Sequence, residues 1–300
     1  MVEVVIVGSI ALDSIETPFG KVEETMGGSA AYAGIASSFF AKTGIIGVIG
    51  KDYPKEYLDL LEKRGIDLTG LQVEEGKSFR WKGKYEFDLN KAITLKTELN
   101  VFEKFNPKIN FDYRRAKYVF LANINPSLQL NVMKQVLEPE VVVCDTMNYW
   151  IENEREKVLD VIRRSKIALM NDAEARMLFK TTNIVKAAKE ALKLGAGHVI
   201  IKKGEHGALM FSHSGCFSAP AYPLENVVDP TGAGDTFAGA LTGYLAKTRS
   251  TSERNIRKGI IYASVLSSLN AEGFGLEKMK KLNDREIRKR FKEFKKMARF

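Results

Sequence analysis

The chain has 300 residues and a formal charge of +9, with 45% hydrophobic and 28% charged residues and a mean hydropathy of -0.17. These values exclude a disordered, collagen-like or membrane-spanning chain and leave a soluble globular protein long enough for a sizeable core. Two cysteines, Cys144 and Cys216, are too few for a disulfide framework and lack the paired spacing of a zinc site, so reduced thiols and a cytoplasmic location are expected.

From the start of the chain, the apolar run 2–12 is broken by Glu3 and follows no basic segment, which fits neither a signal peptide nor a transmembrane helix. Short β-branched runs at 4–10, 45–49, 119–121, 141–144, 167–170 and 199–201 read as buried parallel strands. Helical patterns at 57–61, 128–137, 158–162 and 185–194 lie between them, so the fold class is α/β with a doubly wound, mostly parallel sheet flanked by helices. Asp13, Asn123, Asp145, Asn171 and Lys203 follow the strands and should converge on a crevice at their carboxyl ends.

Two segments depart from this alternation. In Phe79, Trp81, Gly83, Tyr85 and Phe87 the odd positions are apolar or small while the even positions are charged, and the pattern resumes after Asp88-Leu89-Asn90-Lys91. That predicts an antiparallel hairpin over 78–102 with one apolar face. A second hairpin is expected over 14–26, turning near Phe19-Gly20. Together they would form a small strand lid over the crevice within a single 1–300 domain, and the aromatic face predicts a homodimer through the lids. At the other end, residues 277–300 carry a net charge of +7, leaving about +2 for the body. Ile287, Phe291 and Phe294 recur at helical spacing, which predicts a basic amphipathic helix lying on the body, with no nucleic-acid and no membrane partner.

The densest chemical signal is Asp229-Pro230-Thr231-Gly232-Ala233-Gly234-Asp235, followed by a buried stripe of Phe237, Leu241, Tyr244 and Leu245. Glycines at a helix start leave N–H groups free beside the positive end of the dipole, a site suited to phosphate. A carboxylate at Asp235 would repel that phosphate unless it had another task, such as taking the proton of an attacking hydroxyl. The competing reading is a glycine turn with a favourable first-turn acid. A dinucleotide fingerprint fails because Phe237 occupies the place of its third glycine, and a P-loop fails because Leu71 stands where Gly76-Lys77-Ser78 needs its first glycine.

This turn resembles the late signature of the ribokinase family, the PfkB carbohydrate kinases. The early Gly27-Gly28-Ser29-Ala30 and the strand-end Asn171-Asp172-Ala173-Glu174 are similar to two further motifs of that family, in matching order over nearly the whole chain. The resemblance implies a ribokinase-like fold and an ATP-dependent kinase acting on a primary hydroxyl of a sugar or nucleoside. It implies Asp235 as general base, with Gly232, Ala233 and Gly234 supplying an anion hole. Asn171 and Glu174 would organise Mg²⁺, largely through water, although a helix cap explains the same pair.

Asp13, Gly27, Gly28 and Ser29 would bind the acceptor. Tyr32 stands where sugar kinases of this type commonly carry Asn, which suggests a site that stacks a base, unless Tyr32 is buried in its helix. Lys203, Gly204, Gly207, Thr231 and Asn270 fall on the nucleotide side, and Asp229 with Thr231 matches positions that hold a monovalent cation such as K⁺ in some relatives. A kinase for a vitamin-like alcohol and an inactive nucleotide-binding regulator are the alternatives, the second disfavoured because Asp235, Asn171 and Glu174 are all present.

Overall fold

The computed structural model describes residues 2–298. Its strands are β1 (Val4–Val7), β2 (Ala11–Thr17), β3 (Gly20–Gly27), β4 (Thr43–Gly50), β5 (Asp67–Glu74), β6 (Phe79–Tyr85), β7 (Ala92–Glu98), β8 (Tyr118–Leu121), β9 (Val141–Cys144), β10 (Ile167–Asn171), β11 (His198–Lys202), β12 (Ala208–Ser212) and β13 (Gly215–Ala219). They form a large sheet of order β13-β12-β11-β10-β9-β8-β1-β4-β5 and a small one of order β3-β2-β6-β7.

From β5 to β11 every neighbouring pair in the large sheet is parallel; β12 and β13 add an antiparallel edge. The apolar runs are its central strands, whose side chains enter separate cores on the two faces. The sequence pattern did not bring out β5, β12 and β13. β5 and β13 are the edge strands, half polar because one side faces water, so no continuous apolar run marks them, whereas β12 lies inside β13 and does carry a short apolar run, Ala208–Phe211. Strand order reverses at β1, between β4 and β8, which opens a crevice at the carboxyl ends of the strands.

The small sheet starts almost at once after β1. In it β2 pairs with β3 antiparallel and with β6 parallel, and β6 pairs with β7 antiparallel. Its aromatic side chains have separate fates. Phe79 stacks on Phe102 at 5.2 Å, the Trp81 indole donates to Thr94 at 3.2 Å, the Tyr85 hydroxyl meets Thr231 at 3.2 Å, and Phe87 is exposed. Phe79, Trp81 and Tyr85 are half-buried, so the chain's own residues cover only part of the face expected between two subunits.

One face of the large sheet is covered by the helices Ser29–Ser38 and Ala233–Thr248. These cross at backbone contact: a Cβ on Gly239 would collide with Ala33, and one on Gly243 would lie 2.7 Å from the Ser37 carbonyl. Glycine is needed there for the approach, and the crossing fixes two helix starts side by side over the crevice.

The basic C-terminal segment, expected as one helix, is two: Glu277–Lys281 and Asp284–Met297, divided where Asn283 and Glu286 form a reciprocal cap. Arg64 bonds the carbonyls of Met279, Lys280 and Leu282, closing the first of them. Ile287 and Phe294 are buried and Phe291 stacks on Tyr262 at 4.1 Å, while Arg299 and Phe300 lie outside the described residues. No helix among the described residues is long and apolar enough to cross a membrane.

Candidate active site

Both covering helices begin at a glycine with positive φ and no side-chain cap: Gly28 at 93° and Gly232 at 72°. At the Gly28 start the Ser29 and Ala30 amides are spent on Ser9, at 3.0 Å to its Oγ and 3.0 Å to its carbonyl, so only the Gly232 start keeps free N–H groups. At the second start a Cβ on Gly232 would collide with the ring of Tyr32, whereas one on Gly234 would meet only Lys202, 3.2 Å from its Nζ. The Ala233 amide is spent on the Pro230 carbonyl at 3.1 Å. Of the three amides expected in the anion hole, those of Gly232 and Gly234 have no backbone acceptor among the described residues.

Asp235 follows on the first turn of this helix. Burial, then the negative charge of Asp145, pushes its carboxyl up to about 7, and Lys202 counters them in part. Asp145 directly follows β9 and Lys202 ends β11, and the two form a buried ion pair. Parity explains the meeting: Val143 and Ile200 belong to the core beneath the helix Ala233–Thr248, so Asp145 and Lys202, two residues on, emerge on that same face. Asp145 thus reaches the crevice as its strand-end position predicts, whereas the sequence pattern puts Lys203, not Lys202, on the nucleotide side. Lys203 is one step out of phase and half-exposed.

Asn171 lies opposite Lys202 in register and caps the helix Asp172–Leu178. Its side chain accepts from the Glu174 amide at 2.8 Å, while the Glu174 carboxylate accepts from the Asn171 amide at 2.7 Å and side chain at 2.8 Å. Glu174 is buried, and its carboxyl is raised by that burial and by Asp145. The cap reading is thus realised in full. Its carboxylate oxygens keep further lone pairs, and the cluster of Asp145, Glu174 and Asp235 has one nearby cation, Lys202. This surplus of negative charge fits a divalent ion. Among the described residues no three His, Cys, Asp or Glu side chains form a direct metal cage, so the fit is to a hydrated ion.

At the other end of the crevice Asp13 is 5% exposed and lies on Gly27, where a Cβ would overlap its carboxylate. Burial raises Asp13 to about 7; the Gly28 amide pulls it back, and Asp229 and Asp235 push it further up. Tyr53 and Tyr32 stand near enough to feel its charge, and both have buried hydroxyls without a partner. Tyr53 was missed because a lone Tyr after a strand has no spacing to betray it.

Tyr32 does not offer a stacking face. Its ring is 1% exposed beneath Gly232, as the buried-helix alternative had it, and its hydroxyl is buried too, without a partner. The Ser29 hydroxyl is likewise engaged, since it accepts from the Ser9 amide at 3.1 Å while Ser9 Oγ accepts from the Ser29 amide at 3.0 Å. An aromatic flank lies nearby: Ser29 Oγ donates to the Asn123 carbonyl at 3.5 Å, and Asn123 Oδ1 accepts from the Trp150 indole at 2.9 Å.

The remaining expected residues brace the turn or edge it. Asp229 is buried and accepts from the amides of Thr231 at 2.9 Å and Gly275 at 2.8 Å. Asn270, also buried, donates to the Thr231 carbonyl at 2.8 Å and leaves its Oδ1 without a partner. Gly204, at φ 53°, and Gly207, at φ 84°, flank the turn Gly204–His206 after β11, and Asn90 of the β6–β7 hairpin touches Gly204.

A crevice with a hydroxyl-lined end, one free helix start and a charged far end suits transfer of an anionic group to a neutral acceptor, and similar proteins agree. The pfkB family carbohydrate kinase pattern matches residues 1–280. A cytidine kinase of Thermococcus kodakarensis is 33% identical over 254 residues, 81% of this chain and 89% of that protein. The nucleoside kinase of Methanocaldococcus jannaschii has the same fold, with a TM-score of 0.77 at 20% identity over 97% of this chain and 98% of its own. A putative ribokinase II from E. coli, solved with ATP and Mg²⁺, gives a TM-score of 0.79 at 19% identity over 98% of this chain and 100% of its own. The chain therefore belongs to the pfkB family of carbohydrate kinases, and it is a phosphotransferase for an alcohol group of a sugar or nucleoside.

Proposed function

We propose that this kinase transfers the γ-phosphoryl group of ATP to the 5′-hydroxyl of a ribonucleoside. The observation that carries the reading is Asp13, a buried carboxylate beside the unpartnered hydroxyls of Tyr32 and Tyr53, at the opposite end of the crevice from Asp235. Carboxylate and hydroxyls suit the vicinal 2′- and 3′-hydroxyls of a ribose, and the Trp150 flank gives a base an aromatic neighbour. The cytidine kinase and nucleoside kinase relatives support the same acceptor class.

Asp235 takes the proton of the 5′-hydroxyl as the oxygen attacks, which its raised pKa favours near neutrality. The Gly232 and Gly234 amides hold the charge that develops on the transferred group. Asn171 and Glu174 orient a hydrated Mg²⁺, which neutralises phosphate charge when bound. Asn270 Oδ1, buried without a partner beside Thr231, gives a monovalent cation an oxygen near Asp229. The turn from Gly204 to Gly207 takes the nucleotide, and the β6–β7 hairpin, already touching Thr231 and Gly204, excludes water from the transfer. Exposed Ile93 and Leu95 on β7, with Leu99 just after it, support pairing of two copies through the small sheet.

The test is coupled ADP release with cytidine, adenosine, inosine, ribose and fructose at fixed MgATP. A nucleoside should exceed ribose in kcat/KM by about tenfold or more, the worth of stacking one base. A free sugar winning by that margin would overturn the nucleoside assignment.

A further inference from the structure

So far Lys202 and Asp145 act only through their charges on Asp235 and its neighbours, with no contact to the transferred group. Their ion pair is buried, with the lysine side chain 17% and the aspartate 5% exposed, which is a costly arrangement for a surface-scale gain in stability. An ammonium carries three donors, and among the described residues Asp145 is the one side chain or carbonyl that accepts from this one. Its place is equally specific. Lys202 Nζ lies 3.2 Å from the point where a Cβ of Gly234 would project, so it stands directly against the start of the helix Ala233–Thr248. Burial opposes its charge, but Asp145, Glu174 and Asp235 more than offset that, and it remains a cation.

From this juxtaposition we infer that Lys202 is a phosphoryl-binding residue, and that Asp145 is the positioning residue that holds it at the anion hole. The inference rests on the kinase reading above and deepens it. During transfer the acceptor oxygen–phosphorus bond forms while the bond from phosphorus to the bridging oxygen of ATP breaks. ADP leaves with that electron pair, and the acceptor's proton passes to Asp235. Lys202 keeps its protons throughout, directing its two uncommitted N–H groups to the equatorial oxygens of the moving group while the third stays on Asp145. Two neutral amides alone leave much of that charge uncompensated. A fixed ammonium meets it without reorganisation.

A buried ion pair of purely structural value makes a different prediction, and a double-variant cycle separates the two. Lys202→Met strands Asp145 and should destabilise the fold, whereas Asp145→Asn with Lys202→Met leaves a neutral pair and should recover the melting temperature. Turnover is counted per nucleotide-binding site, so that unfolded protein does not enter the rate. The expected result is that the double variant keeps KM for ATP within about threefold of wild type but stays about 10²–10³-fold down in kcat, as for loss of one anion-hole donor. Asp145→Asn alone, which keeps the ammonium but frees it to move, should lose about tenfold in kcat and regain activity in Asp145→Glu. A double variant with kcat within threefold of wild type would overturn the inference. Failure of the wild type to phosphorylate any nucleoside or sugar would instead overturn the kinase reading on which it rests.

Discussion

Asp13 and Asp235 face one crevice with carboxyls raised to about 7, yet they are surrounded by different chemistry. Burial leads in both cases. Near Asp13 the groups are mostly neutral, the Gly28 amide and the hydroxyls of Tyr32 and Tyr53 with the tyrosine of β6 at the margin, and the charges it feels, Asp229 and Asp235, come after burial and that amide. Near Asp235 they are charged, namely Asp145, Lys202 and Glu174. A carboxylate among hydroxyls selects a neutral polyol, whereas carboxylates with an ammonium and free amides select an anion and its counter-ion. On the function proposed here, that difference sets which substrate enters at which end.

The largest effect should come from exchanging each carboxylate for its amide. Asp235→Asn removes the base, and turnover should fall by about 10²–10⁴ with nucleotide binding retained. Asp13→Asn should instead raise KM for the acceptor by roughly 10–100-fold, the cost of one or two charge-assisted hydrogen bonds, with a much smaller change in kcat. Steady-state kinetics of both variants, with nucleotide titration by calorimetry, checks the split. If both variants act on the same parameter, the two ends of the crevice are not functionally distinct.

Next in size is a contrast between two glycines of one turn. Gly232 has φ 72° and lies on the Tyr32 ring, so alanine there is strained in backbone and in contact. Gly234 is helical and meets the flexible end of Lys202 at 3.2 Å, which can yield by a few tenths of an ångström. Gly232→Ala should therefore lose about 100-fold or more in kcat and melt several degrees lower. Gly234→Ala should lose roughly tenfold in kcat at near wild-type stability. Melting curves and initial rates decide this, and equal losses would remove Tyr32 as the platform of the turn.

A smaller effect concerns pH. Because Asp235 must be ionised to accept a proton, kcat/KM for the acceptor should rise with pH up to about 7 and level off above it. Since Asp13 and Asp235 interact, the midpoint belongs to the pair. Stability runs the other way. Both groups bind protons more tightly folded than unfolded, so their contribution is complete below about pH 4 and is lost as pH rises through 7. The ligand-free protein should melt about 5 °C or more lower at pH 8 than at pH 5, and Asp235→Asn should flatten that slope. A slope unchanged in the variant would show that Asp235 titrates in the ordinary carboxylate range.

What the sequence could and could not disclose follows the range of the interactions. Central strands were legible because a strand buried on both faces is an apolar run, and the turn from Asp229 to Asp235 was legible because glycine spacing is a local requirement. Partners far apart along the chain were not. Nothing near Tyr32 announces that Gly232 will lie on its ring, or that Ser29 will be claimed by Ser9. Lys202 was the nearest miss: the period of two along β11 puts it on the face of Ile200, under the catalytic helix, and the same count from Val143 reaches Asp145. Counting strand parity to its last residue, rather than stopping where the apolar run stops, would have found Lys202 and matched it to Asp145, already expected at the crevice.

The smallest effect expected is also the most diagnostic, because stability and binding should change in opposite senses. Tyr53 is 6% exposed and its buried hydroxyl has no protein partner, an arrangement that costs the fold about 1–3 kcal/mol. Such a cost is retained when the group serves a ligand. Tyr53→Phe removes the hydroxyl and keeps the ring, including its edge contact with Tyr57 at 5.9 Å, so the ligand-free protein should melt at or slightly above the wild-type temperature. Acceptor KM should rise about 3–10-fold, the usual worth of one neutral hydrogen bond, with KM for ATP unchanged. Tyr32→Phe probes the same end from beneath the glycine turn, where the ring packing is untouched and a similar loss is expected. Melting curves in the absence and presence of acceptor give both quantities from one sample. A Tyr53→Phe protein that melts lower than wild type while binding the acceptor equally well would make that hydroxyl a structural group and leave Asp13 to hold the acceptor without it.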